Sequence, residues 1–268
     1  MNRASVALLL LGLAAVFPAL AGPFEVAVTP SRFVLDAKSG TRVGRVIDIY
    51  NVGNAPTEVS VRTIDWSYSE QGHIGFHDAL QPGSCRPWVT LERKTVKIAP
   101  RSKVGFRFQV DVPPDAPRSE CRLMLAVEGL EPAQQTAISQ GSTSLQLPVS
   151  GRIAVAVYLA LNGAEPKLSI GQIAMKEVQG RRTPVITVRN EGDAHGRLEG
   201  SLDAVDAKGL NFELVPEGTP VLPGQTRILP LSPRSDAASA QKVPTFPVKV
   251  TGALDWDKGA FKIDAELK

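Results

Sequence analysis

The chain has 268 residues, a formal net charge of +3, and 43% hydrophobic, 21% charged and 6% aromatic residues. This composition excludes a disordered chain and a bundle of membrane-spanning helices, and so small a net charge argues against a nucleic-acid-binding protein. The 23 glycines and 21 prolines favour short strands joined by turns, and the length suggests two domains or one large one.

The first 21 residues have the features of a secretory signal peptide. Arg3 precedes an uncharged apolar run over residues 4–17, and Ala19 and Ala21 form a small-residue cleavage site. A run of about 14 apolar residues is shorter than the ~20 needed to cross a bilayer. We therefore expect cleavage before Gly22 and export of a mature chain without a membrane anchor.

The two cysteines, Cys85 and Cys121, are 36 positions apart. An even number of cysteines in an exported chain favours a structural disulfide, which could stabilise the fold by up to about 4 kcal/mol. The alternative is an intermolecular disulfide. A redox or metal pair has little support, because the sequence contains no CxxC motif or Cys/His cluster.

Apolar residues alternate with period two from Glu25 onward, which is typical of half-buried strands. Predicted strands cover 32–35, 45–50, 57–67, 95–98, 104–112 and 122–127. No amphipathic helix is predicted between them, so the first half of the chain reads as an antiparallel sandwich.

The longest alternation runs from Leu145 through Leu147 and Val149 to Leu159, interrupted by Gly151. It predicts one strand of roughly fifteen residues, longer than a small sandwich needs. The preceding segment, 131–143, is rich in Gln, Ser, Thr and Ala and is predicted to be a connecting loop. The alternative for this segment is a disordered hairpin tip.

A turn at 162–166 separates the first series of strands from a second series. The second series is predicted at 168–174, 185–189, 197–204, 226–230, 248–254 and 261–265. We therefore predict an all-β protein of two tandem sandwich domains, at 22–161 and 166–268.

Several short motifs, taken in order, resemble those of periplasmic pilus-assembly chaperones, the PapD-like family. They are VTPSRFVL at 28–35, VIDIYN at 46–51, IAP at 98–100, VP at 112–113 and VRNEG at 188–192. The resemblance implies two immunoglobulin-like domains in a boomerang arrangement. It also implies a non-enzymatic periplasmic chaperone without a cofactor, which binds pilus subunits and delivers them to an outer-membrane usher.

The resemblance also implies roles for particular residues. In this family a chaperone strand completes the subunit's unfinished sandwich, and Leu145, Leu147 and Val149 align with the donor positions. The alternative is that these residues line their own core.

Two basic residues of the family anchor the subunit's terminal carboxylate in the cleft between the domains, and Arg32 matches the first of them. The family's second basic residue, a lysine, aligns with Ala154, so Arg152 is the candidate substitute. Alternatively, Arg32 and Arg152 are solvated surface charges.

Enzyme motifs are weak. His73 and His77, with Asp78, could form a metal site, but they lie in a glycine-containing segment without a further ligand motif. The sequence contains no Gly-x-Ser-x-Gly elbow or phosphate-binding loop. His195 is predicted to be a surface turn residue. The remaining alternative function is a secreted tandem-sandwich protein for adhesion or structural binding.

Overall fold

The computed structural model describes residues 24–130, 134–140, 143–149, 151–234 and 244–268. The predicted signal peptide lies outside these residues. Among the described residues, every regular element is a β-strand apart from one 3-10 turn at Arg86–Trp88, which confirms the all-β prediction.

The strands divide into two series along the chain. The first series is β1 (Val26–Thr29), β2 (Arg32–Ala37), β3 (Arg42–Asn51), β4 (Thr57–Tyr68), β5 (Ile74–His77), β6 (Val89–Leu91), β7 (Thr95–Ile98), β8 (Lys103–Asp111), β9 (Ser119–Gly129), β10 (Gln134–Gln140), β11 (Thr143–Val149) and β12 (Arg152–Leu161). The second series is β13 (Leu168–Val178), β14 (Arg181–Asn190), β15 (Leu202–Val205), β16 (Asn211–Pro216), β17 (Thr226–Pro233), β18 (Val248–Trp256) and β19 (Gly259–Leu267).

The first sandwich consists of two facing sheets. One has the order β1-β3-β8-β6, and the other has the order β2-β12-β9-β4-β5, with β7 also paired to β4. The chain changes sheets after β1, because β1 pairs antiparallel with β3 whereas β2 pairs parallel with β12. Residues 24–37 therefore contribute one strand to each of the two sheets.

The core of the first sandwich follows the predicted alternation. In β8, Phe106, Phe108 and Val110 are buried, whereas Lys103 and Arg107 are exposed. The Phe108 ring meets the ring of Phe33 from the facing sheet edge to face, with centroids 5.2 Å apart. Period-two burial on both inner faces thus produces one continuous core between the sheets.

The predicted disulfide is confirmed. Cys85 and Cys121 are bonded, both are buried, and their Cα atoms are 5.4 Å apart. The bond attaches the segment before the 3-10 turn to β9, and so closes a loop that contains β6, β7 and β8.

The predicted long strand is two strands. β11 ends at Val149 and β12 begins at Arg152, and they have different partners: β11 pairs with β10, whereas β12 pairs with β9 and β2. The segment predicted as a loop before β11 contains β10, which a polar sequence without alternation did not indicate. The hairpin of β10 and β11 extends the chain beyond the two sheets of the first sandwich.

The second sandwich is built from a single sheet path, β13-β14-β17-β16-β15-β18-β19. The first half of β17 pairs with β14 and its last residues pair with β16, so this strand joins the two layers. A second core lies between them, with Ile186, Leu202 and Leu229 fully buried. The strand predicted at 197–204 is shorter, beginning at Leu202, and β16 was not predicted.

A third buried cluster lies where the two sandwiches meet. It contains Ile64, Trp66, Met124 and Tyr158 from the first sandwich and Leu222 from the second. In β12, alternate residues such as Val155 and Val157 belong to the core of the first sandwich, whereas Ala156 and Tyr158 belong to the third cluster. Strand β12 is therefore buried on both faces.

Candidate functional site

A cleft of about 520 Å³ lies beside this contact between the sandwiches. The first sandwich contributes Arg32, Val34, Asp36, Glu120, Tyr158 and Ala160, and the second contributes His195, Arg197, Glu199, Asp255, Trp256 and Lys258, among others. The strand pairing explains why the first group converges: Arg32 and Val34 of β2 lie in register with Ala156 and Tyr158 of β12. Side chains far apart in sequence are thus placed on one wall.

Two arginines, Arg32 and Arg197, line the cleft from opposite sandwiches. Among the described residues, neither makes an ion pair with a carboxylate. Burial lowers the pKa of the Arg197 guanidinium below its ordinary value, and the positive charge of Arg32 lowers it further. A partly buried guanidinium next to a second arginine provides a local positive charge in a cleft that is also lined by Asp36, Glu120, Glu199 and Asp255.

Tyr158 contacts Arg197 through both its hydroxyl group and its aromatic ring. The Tyr158 hydroxyl accepts a hydrogen bond of 3.3 Å from Nη2 of Arg197, whose Cζ lies 5.7 Å from the ring centroid. Nη1 of Arg197 donates to the carbonyl oxygen of Gly218, and its buried Nε has no hydrogen-bond partner. Burial raises the pKa of Tyr158, so this side chain remains a neutral phenol near neutral pH. The Arg197 head group is therefore held in place while one of its donors stays unused.

His195 packs on the other side of the cleft wall and is mostly buried, with 8% of its side chain exposed. Its ring stacks on Tyr158 with centroids 3.9 Å apart, and its Nδ1 lies 2.5 Å from Oε2 of Glu120. The prediction that His195 is a surface turn residue is wrong, because the first sandwich covers it.

Further polar contacts link the two sandwiches at the edge of the cleft. Arg118 of the first sandwich pairs with Asp193 of the second at 2.5 Å, and Asp193 also accepts a hydrogen bond from the backbone N–H of Glu165. Lys258 pairs with the Glu165 side chain at 2.8 Å. Glu165 in the connecting segment 162–167 is thus held by two residues of the second sandwich.

The turn between β4 and β5 makes another contact with the second sandwich. The backbone N–H of Ile228 donates to the carbonyl oxygen of Glu70, and the fully buried Arg227 guanidinium lies 4.7 Å from the Tyr68 ring centroid. An ideal Cβ on Gly72 would lie 2.9 Å from Nη2 of Arg227. This close fit leaves no space for a larger residue at Gly72.

The structure does not bring Arg152 to Arg32. Arg152 begins β12 opposite Glu128 of β9 and forms an ion pair with its carboxylate, which Arg62 also contacts with two hydrogen bonds of 3.0 and 3.1 Å. Arg152 is not among the residues that line the cleft, whereas Arg32 is. In β12, Ala154 lies between Arg152 and Ala156, the residue in register with Arg32, at the edge of the buried cluster between the sandwiches.

The predicted donor residues Leu145, Leu147 and Val149 all lie in β11. Their registered partners in β10 are Ile138, Thr136 and Gln134. In the described part of the chain, β11 pairs with β10 and with no strand of either sandwich. The backbone thus presents these three positions on a strand outside both cores.

The histidines considered as metal ligands lie in the β4–β5 hairpin. Nε2 of His77 lies 2.9 Å from the Ser67 hydroxyl, and His73 contacts Ser69. Within the described residues, no group of three or more His, Cys, Asp or Glu side chains could hold a metal ion. Nor is any helix in that part of the chain long and apolar enough to cross a membrane.

Sequence reasoning missed Arg197 and Glu120 as cleft residues. Arg197 is the only arginine or lysine in 190–200, and it precedes Leu198, which is buried in the second core. That neighbourhood predicts a surface charge on a strand. Only the contact with Tyr158 of the other sandwich turns Arg197 into a cleft residue, and a single sequence carries no signal for that contact.

Comparison of the sequence with models of protein families and with curated proteins finds no match. Solved structures do match over most of the chain. One is the SafA pilin in complex with the SafB chaperone of Salmonella enterica, at 14% identity, with 91% of this chain and 98% of that chain covered and a TM-score of 0.49. The neighbours are pilus chaperones.

Two further structures match at a similar level. The CsuC–CsuE chaperone–tip subunit complex of Acinetobacter baumannii is 15% identical, with 90% of this chain and 97% of that chain covered and a TM-score of 0.46. The E. coli chaperone DraB is 13% identical, with 90% and 98% covered and a TM-score of 0.46. The family that the sequence motifs resemble is thus also that of these neighbours. Likeness at this level carries no functional argument.

Proposed function

We propose that this protein is a periplasmic, non-enzymatic chaperone that binds exported pilus subunits by lending them strand β11, and delivers them to an outer-membrane usher. The observation that carries the proposal is the position of β11, which alternates Leu145, Leu147 and Val149 with polar or proline residues and pairs only with β10 among the described strands. An apolar strand outside both cores suits strand addition to another protein.

The energetic scale supports strand donation. Burying three large aliphatic side chains in a subunit's groove would contribute about 5 to 9 kcal/mol before ordering costs are subtracted. Backbone hydrogen bonds to the subunit would add to this, because a paired strand edge no longer faces solvent. The strand would in turn cover the subunit's open groove, which otherwise favours aggregation.

The cleft supplies a second point of attachment. We assign the anchoring of a subunit carboxylate to Arg32 together with Arg197, in place of Arg152, whose charge is already engaged by Glu128. Arg32 is exposed, and Arg197 lines the cleft without an ion pair to any carboxylate among the described residues. Planar guanidinium groups bind carboxylates through two parallel hydrogen bonds, which fixes both the position and the direction of the bound chain end.

Co-expression with a panel of exported pilus subunits tests strand donation. Leu147→Glu should lower recovery of the subunit by at least about tenfold, because a carboxylate would have to enter an apolar groove. Gln146→Glu is the matched control. It places the same charge at the neighbouring residue, on the opposite face of β11, and should retain capture. Equal capture by both variants and the wild type would contradict donation by β11.

The same assay tests the cleft. Arg32→Ala and Arg197→Ala should each weaken capture by about tenfold, because a charge-assisted hydrogen bond contributes roughly 1.5–3 kcal/mol. Arg45→Ala removes an exposed arginine whose Nη1 donates to Gly44 and should leave capture unchanged. Loss of capture with Arg152→Ala but not Arg197→Ala would overturn the assignment of Arg197.

A further inference from the structure

The ring of Phe24 lies against Gly151, the residue immediately before β12. An ideal Cβ built on Gly151 would lie 2.0 Å from Cγ and 2.1 Å from Cδ1 of Phe24. Gly151 is not among the glycines with a left-handed backbone, so its conformation is open to other residues. The absence of a side chain at Gly151 is therefore required by the Phe24 ring and not by the backbone.

A second glycine, Gly129, also lies against the Phe24 ring. An ideal Cβ on Gly129, at the end of β9, would lie 3.1 Å from Cδ2 of Phe24. The backbone N–H of Gly129 donates a hydrogen bond of 3.3 Å to the carbonyl oxygen of Gly151. The Phe24 ring thus packs against two hydrogen-bonded glycines at the end of the sheet that contains β9 and β12.

The backbone next to Phe24 belongs to the opposite sheet, which contains β1 and β3. The next residue, Glu25, accepts a hydrogen bond of 2.9 Å from the backbone N–H of Val52, and β1 then pairs with β3 from Val26 onward. The ring is partly buried against the core of the first sandwich. Phe24 therefore joins the two sheets at the end of the sandwich from which the β10–β11 hairpin departs.

We propose that Phe24 is a positioning residue for β11: its ring, seated on Gly129 and Gly151, fixes the direction in which the chain leaves the first sandwich. The β10–β11 hairpin pairs with neither sheet among the described strands, so its direction depends on its two connections, and Gly151 lies in one of them. Fixing that direction in advance lowers the ordering cost when a partner binds. The inference rests on the proposed function, since a strand that is presented to a subunit benefits from a fixed direction.

Four variants separate positioning from simple packing. They are Phe24→Ala, Gly151→Ala, the double variant, and Gly218→Ala as the control, because an ideal Cβ on Gly218 meets nothing within 4 Å and its backbone is not left-handed. Thermal unfolding reports stability. Hydrogen–deuterium exchange of the amides of residues 143–149, apart from Pro148, reports how firmly β11 is held in its pairing with β10 in the free protein, with the amides of β12 as an internal reference.

The expected results differ between the two readouts. Gly151→Ala should unfold at a lower temperature than the double variant, because Phe24→Ala removes the overlap between the new methyl group and the ring. Exchange of the β11 amides should be at least about threefold faster in both single variants and should remain fast in the double variant, since the seated ring is absent from all three. Gly218→Ala should match the wild type in both readouts.

If β11 exchange returns to the wild-type rate in the double variant together with stability, Phe24 is only a core residue and the proposal is wrong. Unchanged β11 exchange in all variants also overturns it. Phe24→Leu, which keeps apolar volume but lacks the flat ring, replaces Phe24→Ala if that variant does not fold, with the same expected direction. Because exchange is measured without a partner, a wild-type protein that captures no pilus subunit refutes the proposed function while leaving this test intact.

Discussion

Asp65 is a buried carboxylate that organises the loop before the disulfide. Its two oxygens accept hydrogen bonds from the Gln81 backbone N–H at 2.9 Å and the Ser84 hydroxyl at 2.7 Å, and it pairs with Arg86 at 3.3 Å. Removing its charge leaves buried donors with a weaker acceptor. The loop therefore depends on one side chain from β4.

We expect Asp65→Asn to lower the free energy of unfolding by about 1–3 kcal/mol, because charged hydrogen bonds are lost inside the fold. Chemical denaturation of the purified protein measures this change. The exposed Asp115 provides the control, and Asp115→Asn should have no measurable effect. Equal stability of the two variants would show that the loop is held by the disulfide alone.

At the scale of single residues, the sequence predicts burial only where one sandwich decides it. Alternation correctly identified Phe106 and Phe108 as core residues because both inner faces belong to the first sandwich. It could not identify His195 and Arg197, whose surroundings come from the other sandwich. Contacts between separately folded layers leave no periodic signal in a single chain.

At the scale of elements, the β4–β5 hairpin fastens the first sandwich to β17. Gly72 has a left-handed backbone with φ +91° and lies close to Arg227, whereas Gly83 has a similar φ of +74° with nothing within 4 Å of an added Cβ. The two glycines therefore separate the effect of backbone strain from the effect of contact with the second sandwich.

Gly83→Ala should cost about 1 kcal/mol of stability, since a left-handed backbone disfavours alanine. Gly72→Ala should cost more and should also speed the exchange of the Ile228 amide, because the added methyl group separates the hairpin from β17. Thermal unfolding and hydrogen exchange measure the two effects. Identical behaviour of the two variants would contradict the role of the hairpin as a fastener.

The elements that were predicted have strong alternation, and those that were missed do not. The predicted strands at 45–50, 57–67 and 104–112 correspond to β3, β4 and β8, which all contribute buried residues to one core. Strand β6 has only three residues, β5 lies in a glycine-containing segment that indicated a loop, and β10 is polar. The single strand predicted over 145–159 is two strands, since β11 pairs with β10 and β12 pairs with β9 and β2, and alternation does not reveal such a change of partner.

At the scale of the whole molecule, the ion pair between Arg118 and Asp193 makes the contact between the sandwiches sensitive to acid. The Arg118 guanidinium lowers the pKa of Asp193 below its ordinary value of 3.8. A depressed carboxyl pKa contributes stability above the ordinary value, and this contribution is lost as the pH falls toward the folded-state pKa. Near neutral pH the pair is fully charged.

Asp193→Asn should therefore unfold at a lower temperature than the wild type at pH 7, and the difference should shrink as the pH falls from roughly 5 to 3. Thermal unfolding across this range measures the difference. Arg118→Ala should show the same dependence on pH. The loss of stability in the double variant should not exceed the sum of the losses in the two single variants. A difference that stays constant with pH would contradict the contribution of this pair.

The parallel pairing of β2 with β12 also has a consequence for the order in which the protein can fold. Strand β2 ends at Ala37, but its neighbour β12 begins at Arg152, so more than a hundred residues must be made before β2 can pair with it. Sheets that depend on such distant pairings fold slowly. Until β12 is made, the backbone edge of β2 has no partner strand, and the incomplete chain is itself exposed to aggregation.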